Sequence, residues 1–465
     1  MDILLTHGYY LYEDPHERRV MKPYPPLGIL YISSHLKAKG FDVGIFDSTF
    51  SSQPSFRQFV ARQRPPVVGL YANLLTRRTV LEMMRFCKDQ GCLVVVGGPD
   101  PANYPEEYLL RGADVVVVGE GELTLEELLP HLARYGPTDM GHIQGIVYRE
   151  PSEHLVRTAP RPYLTILDAQ PFPDRGAIQI PEYIRVWREH QGMGSVSLIT
   201  ARGCPYTCAW CSHAVFGYSH RRRSPQNVAD EVTFILETYR ADMLWYADDV
   251  FTIHHRWLSV YAQELQRRGI RIPFETISRE DRLNEKTIRT LAEMGCSRLW
   301  IGSESGSQQV LDAMQRHTNA ARVQEMVQLL QKYRIQVGLF VMLGYEGESV
   351  ADLKATAEHL KAANPDIFLT TLAYPIKGTP YYDQVAGRVI ARKPWEQGSD
   401  RDLTVAGRHS RRFYTFANRW LVGEVAWHQQ RQNGARSYRQ MAKAFVNAGV
   451  GRLGMHLTQH EKEHG

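Results

Sequence analysis

The chain has 465 residues, with 55 Lys and Arg against 50 Asp and Glu and a net charge of +5. Its 43% apolar and 23% charged residues are the balance of a folded protein, which excludes disorder as the ground state and leaves room for about two to four domains with buried cores. So mild a charge demands no nucleic acid, and none is expected as a partner.

The six cysteines are too few and too unevenly placed for a disulfide framework, which points to a reducing compartment. No signal sequence opens the chain and no apolar stretch is long enough to span a bilayer. The expectation is therefore a cytoplasmic protein without a membrane span.

In chain order, Asp2-Ile3-Leu4-Leu5-Thr6-His7 reads as a strand, and a polar stretch follows to about residue 22. The turn Tyr24-Pro25-Pro26-Leu27-Gly28 leads into a helical pattern over 29–39 that Gly40 closes. Runs at 43–47 and 65–71 read as strands, a helix is expected over about 77–90, and Leu93-Val94-Val95-Val96 ends in Gly97-Gly98-Pro99. A further helix, the run 113–118, the loop Gly119-Glu120-Gly121-Glu122 and another helix complete the pattern. Strands apolar on both faces, alternating with amphipathic helices, predict a parallel sheet covered on both sides. Residues 1–136 are thus expected to form a doubly wound, Rossmann-like α/β domain.

In such a sheet the ligand lies across the carboxyl ends of the strands, where Gly97, Gly98, Gly119 and Gly121 fall. Neither G-x-G-x-x-G nor G-x-x-x-x-G-K-[ST] occurs, so dinucleotide and nucleoside triphosphate binding have no support, and the glycines suit tight turns equally well. Over 137–194 the pattern weakens into proline-rich, polar sequence with one short strand candidate, Gly145-Ile146-Val147-Tyr148. A linker is expected there.

A more regular alternation fills 195–385. Its first strand ends at Thr200, just ahead of Gly203-Cys204-Pro205-Tyr206-Thr207-Cys208-Ala209-Trp210-Cys211. Cys204, Cys208 and Cys211 are spaced C-x-x-x-C-x-x-C. Thiolate is a soft ligand suited to iron, and three thiolates in one short loop can converge on a small cluster that keeps one iron open for chemistry. On spacing alone, a structural zinc with His213 as fourth ligand and plain buried thiols stay open.

The later strands end in polar or glycine-rich loops: Asp248-Asp249, Ser278-Arg279-Glu280-Asp281, Gly302-Ser303-Glu304-Ser305-Gly306, Gly344-Tyr345-Glu346-Gly347-Glu348, and Tyr374 through Pro380. These six strand-loop-helix units predict a barrel or partial barrel whose site is built from the loops, with Asp248, Asp249, Arg279, Glu304 and Glu346 around one mouth. Residues 386–465 are expected to form a small helical domain. His456, His460 and His464 recur every fourth residue and could share a helix face as metal ligands, but at a terminus they read as a frayed, solvated tail. Cys87, Cys92 and Cys296 read as buried thiols.

With both halves read, the chain resembles the cobalamin-dependent radical S-adenosylmethionine enzymes, a class that includes many methyltransferases and an anaerobic magnesium-protoporphyrin ester cyclase. The likeness runs from Met1 to about Tyr382. It is carried by the three-cysteine loop, Arg221-Arg222-Arg223-Ser224-Pro225, Tyr246-Ala247-Asp248-Asp249-Val250-Phe251-Thr252, Gly302-Ser303-Glu304-Ser305-Gly306 and Gly378-Thr379-Pro380. In the first domain, Pro25-Pro26-Leu27-Gly28, Gly97-Gly98-Pro99 and Gly119-Glu120-Gly121-Glu122 are similar to the family's cobalamin-binding half.

The resemblance implies a [4Fe-4S] cluster on Cys204, Cys208 and Cys211, with S-adenosylmethionine on the open iron. Asp248 and Asp249 would approach its amino group, and Ser278, Arg279 and Glu304 its carboxylate and ribose. Gly97, Gly98, Gly119 and Gly121 would meet cobalamin. Asp14-Pro15-His16 lacks the glycine of the D-x-H-x-x-G pattern, so no histidine is expected below the cobalt. The implied activity is methyl transfer to a carbon centre of a small molecule, fed by an external electron donor such as flavodoxin or ferredoxin. Alternatives are a radical oxidation, cyclisation or rearrangement, a non-catalytic cobalamin or redox sensor, and an RNA methylthiotransferase. The last is opposed by the lack of a three-cysteine site in the N-terminal half.

Overall fold

The computed structural model describes residues 1–432 and 438–464. Strands β1 (Ile3–His7), β2 (Val43–Phe46), β3 (Val67–Tyr71), β4 (Leu93–Gly97) and β5 (Val115–Val117) form a parallel sheet in the order β2-β1-β3-β4-β5. Side chains alternate between its two faces. Leu4, Val68, Val94, Val96 and Val116 enter one core, while Ile3, Leu5, Val67, Val95 and Val115 enter the other. Continuous apolar runs thus become a sheet buried on both sides, as the sequence predicts.

The stretch 137–194, expected as a linker with one strand candidate at Gly145 to Tyr148, carries regular structure. Strands β6 (Ile146–Arg149) and β7 (Leu155–Arg157) extend the first sheet antiparallel beyond β5, and a helix spans Ile180–Gln191. An antiparallel edge needs no continuous apolar run, and β7 is only half-buried, so its sequence signal is weak.

The second alternation supplies β8 (Ser195–Leu198), β9 (Ala201–Arg202), β10 (Arg221–Arg222), β11 (Met243–Tyr246), β12 (Phe274–Ser278), β13 (Cys296–Glu304), β14 (Gln336–Leu343) and β15 (Ile367–Leu372). Apart from the short antiparallel pair β9 and β10, these make the six-stranded sheet of a partial (β/α) barrel, in the order β8-β11-β12-β13-β14-β15. Helices between them start at polar caps. The side chains of Ser224 and Asn284 accept the amides of Asn227 and Thr287, and Ser349 and Asp352 form a reciprocal capping box.

By packing, the chain divides into two compact units. One comprises 1–205, 212–248 and 393–399, the other 206–211, 249–392 and 400–465. Residues 400–465, with the two long C-terminal helices, group with the second unit. Strands β16 (Val389–Ala391) and β17 (Leu403–Val405) form a hairpin, and Trp395 between them belongs to the first unit, with the guanidinium groups of Arg77 and Arg111 at 4.6 and 4.8 Å from its ring.

The helix Arg411–Gln432 is held within the second unit by Thr370, which donates to Asn418 at 2.7 Å, and by the Lys361–Glu424 ion pair. It packs closely on the helix Tyr438–Thr458, where a Cβ on Gly423 would meet the backbone of Ala448 at 2.5 Å. Residues 461 and 463 are tied to the start of the helix Arg411–Gln432. Glu461 accepts from the Ser410 hydroxyl, and Glu463 accepts the Arg411 amide. Residues 433–437 and 465 of the expected C-terminal domain lie outside the described residues. Among those described, no helix is long and apolar enough to cross a membrane.

Candidate functional site

In the first unit, a cleft opens at the carboxyl ends of the first sheet's parallel strands. Strand order reverses between β1 and β3, the position where a doubly wound sheet leaves a crevice. All four expected glycines, Gly97, Gly98, Gly119 and Gly121, line it, together with Gly28 and Gly69. Gly98 admits no side chain, and Gly121 is closely approached by one. Gly98 has φ +107° and a Cβ there would strike the Ala72 carbonyl, while a Cβ on Gly121 would come within 2.7 Å of Ile32. With Ile29, Val95, Leu125 and Phe216 also on its walls, the cleft is apolar and suits a bulky, largely uncharged group brought against bare backbone.

The charged groups on its edge satisfy one another. Arg202 donates from Nη1 to Glu120 at 2.7 Å and from Nη2 to Glu122 at 2.6 Å, and all three are buried. Glu120 also accepts from Arg221 and from the Leu164 amide, each at 2.8 Å. Arg202 directly precedes Gly203-Cys204, so this fork ties the start of the cysteine loop to the Gly119–Gly121 turn. A carboxylate pair on a guanidinium fork is strong because both bonds are charge-assisted. These three residues were not among the candidates read from sequence. Acidic residues between two strand-end glycines were the available signal.

Asp248 is 2% exposed, and its carboxylate is fully engaged within the same unit. It accepts the Thr200 amide at 2.6 Å, the Thr200 hydroxyl, and Arg222 Nη2 at 2.8 Å. It thereby braces the segment between β8 and Cys204. Asp249, the next residue, is exposed.

In the second unit Cys208 is buried, and Arg279 Nη1 lies 3.7 Å from its sulfur. Arg279 is held by Asp281 at 2.8 Å and by the Arg316 carbonyl at 3.0 Å, with the Tyr206 ring stacked 3.9 Å from its guanidinium. Burial raises the Cys208 thiol above its usual range, and Arg279 offsets part of that rise by favouring the thiolate. Ala209 pins the loop on both sides: its amide donates to the Met314 carbonyl at 3.0 Å, and its carbonyl accepts the Tyr381 amide at 2.9 Å. Cys204 is half-buried and Cys211 exposed.

Ser278 closes β12 and shares a short hydrogen bond with Thr252, 2.5 Å between the two hydroxyls. Glu304 closes β13 at φ +60°, a left-handed backbone that costs a non-glycine residue about 1 kcal/mol or more. Its carboxyl is buried; burial and the nearby Glu280 lift it to about 8, with Arg279 pulling the other way. A Cβ at residue 302 would come within 2.6 Å of that carboxyl, so Gly302 makes its room. Glu346 pairs with Arg388 at 2.9 Å.

Three thiols in one loop, with Arg279 beside Cys208, are a soft donor set of the kind that holds iron. Among the described residues no group of three or more His, Cys, Asp or Glu side chains is placed to hold a metal ion. His213, the candidate fourth ligand for zinc, sets Nδ1 3.2 Å from the Gly217 carbonyl, and its ring lies tilted 4.1 Å from that of Tyr218. Cys87 and Cys296 are buried thiols pushed upward by burial, and Cys92 is likewise buried.

Two family models match the chain: the B12 binding domain over residues 19–129 and the radical SAM superfamily over residues 198–360. The chain is 26% identical over 397 residues to an uncharacterized methyltransferase of Pyrococcus horikoshii, covering 83% of this chain and 84% of that protein. It is 25% identical over 378 residues to the anaerobic magnesium-protoporphyrin IX monomethyl ester cyclase of Rubrivivax gelatinosus, covering 79% of this chain and 67% of that one. Its fold is similar to the radical S-adenosylmethionine methyltransferase TsrM from Kitasatospora setae, with a TM-score of 0.70 at 18% identity over 86% of this chain and 82% of that one.

Proposed function

Because the chain belongs to the enzymes that join a B12-binding domain to a radical S-adenosylmethionine domain, we propose that it transfers a methyl group to a carbon centre of a small molecule. The cofactors that go with these two domains are cobalamin, a [4Fe-4S] cluster and S-adenosylmethionine. Bound together they supply a carbon radical and a transferable methyl group, chemistry beyond the reach of any side chain. The observation that carries the reading is the presence, in one chain, of a glycine-floored apolar cleft in a B12-binding domain and a three-thiol loop whose Cys208 faces Arg279.

In this reading Cys204, Cys208 and Cys211 hold the cluster, and Gly97, Gly98, Gly119 and Gly121 let cobalamin approach the strand ends. Arg279 sets the charge around Cys208. Asp248, whose oxygens are taken by Thr200 and Arg222, is a positioning residue, and the exposed Asp249 is the better partner for the amino group of S-adenosylmethionine. Glu304, kept protonated near neutral pH by burial, can donate a hydrogen bond to a ribose hydroxyl or a carboxylate. Ser278, bonded to Thr252, buttresses the end of β12. The electron comes from an external donor such as flavodoxin or ferredoxin.

Methyl transfer is favoured by the names of the Pyrococcus relative and of TsrM. A radical cyclisation is the second reading, favoured by the Rubrivivax cyclase at nearly the same identity. Anaerobic reconstitution with iron, sulfide and cobalamin, followed by S-adenosylmethionine and reductant, separates them. Both 5'-deoxyadenosine and S-adenosylhomocysteine are expected. The first without the second favours cyclisation, and neither product from fully loaded protein refutes both readings.

A further inference from the structure

The helix Tyr438–Thr458 carries an apolar stripe on its outer face that the proposed chemistry does not use. Its inner face is filled: Ala444, Gly451, Gly454 and Met455 are buried, and a Cβ on Gly451 would strike the backbone of Trp420. On the outer face Val446, Val450, Leu453 and Leu457 follow one another at spacings of four, three and four residues, which sets them in one row about 16 Å long. Val446 is 55% exposed, Leu453 60% and Leu457 70%, and Phe445 beside them is 61% exposed. A contiguous row of this kind is unlike the scattered apolar residues of an ordinary surface.

Charge says what covers it. From Tyr438 to Thr458 there is no Asp or Glu, while Arg439, Lys443, Arg452 and His456 are all exposed around the stripe. A second copy of the chain would bring like charges together. The face is a convex ridge with long aliphatic side chains at its crest, basic groups around them and an aromatic ring alongside, the arrangement of a helix lying in the plane of a membrane interface. The helix is already packed along its inner side, so binding needs no folding step.

We propose that this outer face of the last long helix docks the protein on an anionic lipid bilayer, with Val446, Val450, Leu453 and Leu457 entering the acyl boundary and Arg439, Lys443 and Arg452 meeting the headgroup charges. The contact is peripheral.

Flotation of the full-length, cluster-loaded protein tests it. Co-flotation is expected with vesicles containing phosphatidylglycerol and not with phosphatidylcholine alone, and it should weaken as salt is raised. Leu453→Glu/Leu457→Glu should abolish it, and because both positions are exposed the fold should survive. Arg439→Gln/Lys443→Gln/Arg452→Gln should lower partitioning on the order of a hundredfold. No flotation with phosphatidylglycerol vesicles at low salt, or flotation unchanged in the Glu variant, overturns the proposal. It is also overturned if light scattering without lipid shows an oligomer that the Glu variant dissolves, since the stripe is then an interface between copies.

Discussion

Replacing Arg202 by Met tests whether the fork between the cysteine loop and the glycine turn is energetically real. The substitution keeps most of the side-chain volume and removes only the charge and its donors. Glu120 retains Arg221 and the Leu164 amide, whereas Glu122, with a side chain 4% exposed, loses the cation 2.6 Å away. Breaking a buried pair by removing one partner costs about 3–5 kcal/mol, because the remaining carboxylate is stranded without solvent. The contact of Arg202 with the Tyr31 ring, 5.1 Å to its centroid, is lost as well.

A chain of two compact units need not unfold in one step, so hydrogen exchange at the amides of 119–122 and 199–203 is the right assay. Exchange there should quicken on the order of a hundredfold or more, while the second unit stays unchanged. Adding Glu122→Gln to Arg202→Met should recover at least half of the loss, because the stranded charge is gone; Glu120→Gln should recover less. A loss below about 1 kcal/mol, a surface-pair value, would refute the argument. So would equal rescue by the two glutamines.

Four further outcomes follow from the same geometry. Gly98→Ala must place a Cβ against the Ala72 carbonyl at φ +107°; it should cost about 1–3 kcal/mol, read by thermal melting, and should cut cobalamin retention on gel filtration. Cys208→Ala should fail to assemble the cluster, seen as loss of iron and of visible absorption after reconstitution; a normal cluster would disprove the ligand assignment. Glu304 and Glu348 are both lifted to about 8 by burial. Their folded forms hold protons that the unfolded chain releases above about pH 4.5, so stability fully present below that pH is lost as pH rises from there through 8, and Glu348→Gln should flatten that fall in melting temperature. His359, buried beside Ser303 at 2.9 Å, is pushed down to about 4. It favours the fold above about pH 6.5 and that contribution is lost as pH falls towards 4, a slope that His359→Gln should reduce in acid unfolding.

Much of this protein was legible without coordinates, because some physical signals are local in the chain. Doubly buried strands such as Leu93 to Val96 announce a parallel sheet, glycines after strand ends announce a crevice, and three thiols within eight residues mark a loop of soft ligands. What was not legible is whatever joins distant residues. Arg202 meets Glu120 across 82 positions, and Asp248 meets Thr200 across 48, with no pattern in either segment to mark the pairing.

For the same reason Asp248, at a strand end like Asp249, could not be told from it by sequence; burial alone separates a brace from an exposed carboxylate. The antiparallel strand β7 and the pinned C-terminal tail escaped because half-buried edges and ion pairs leave no periodic trace, whereas the buried run Gly145 to Tyr148 did mark β6. Periodicity and spacing along the chain determine which elements form and where soft ligands cluster. Which charges neutralise one another, which carboxyl keeps its proton and how the cysteine loop is held are decided when folding removes water from between groups far apart in sequence.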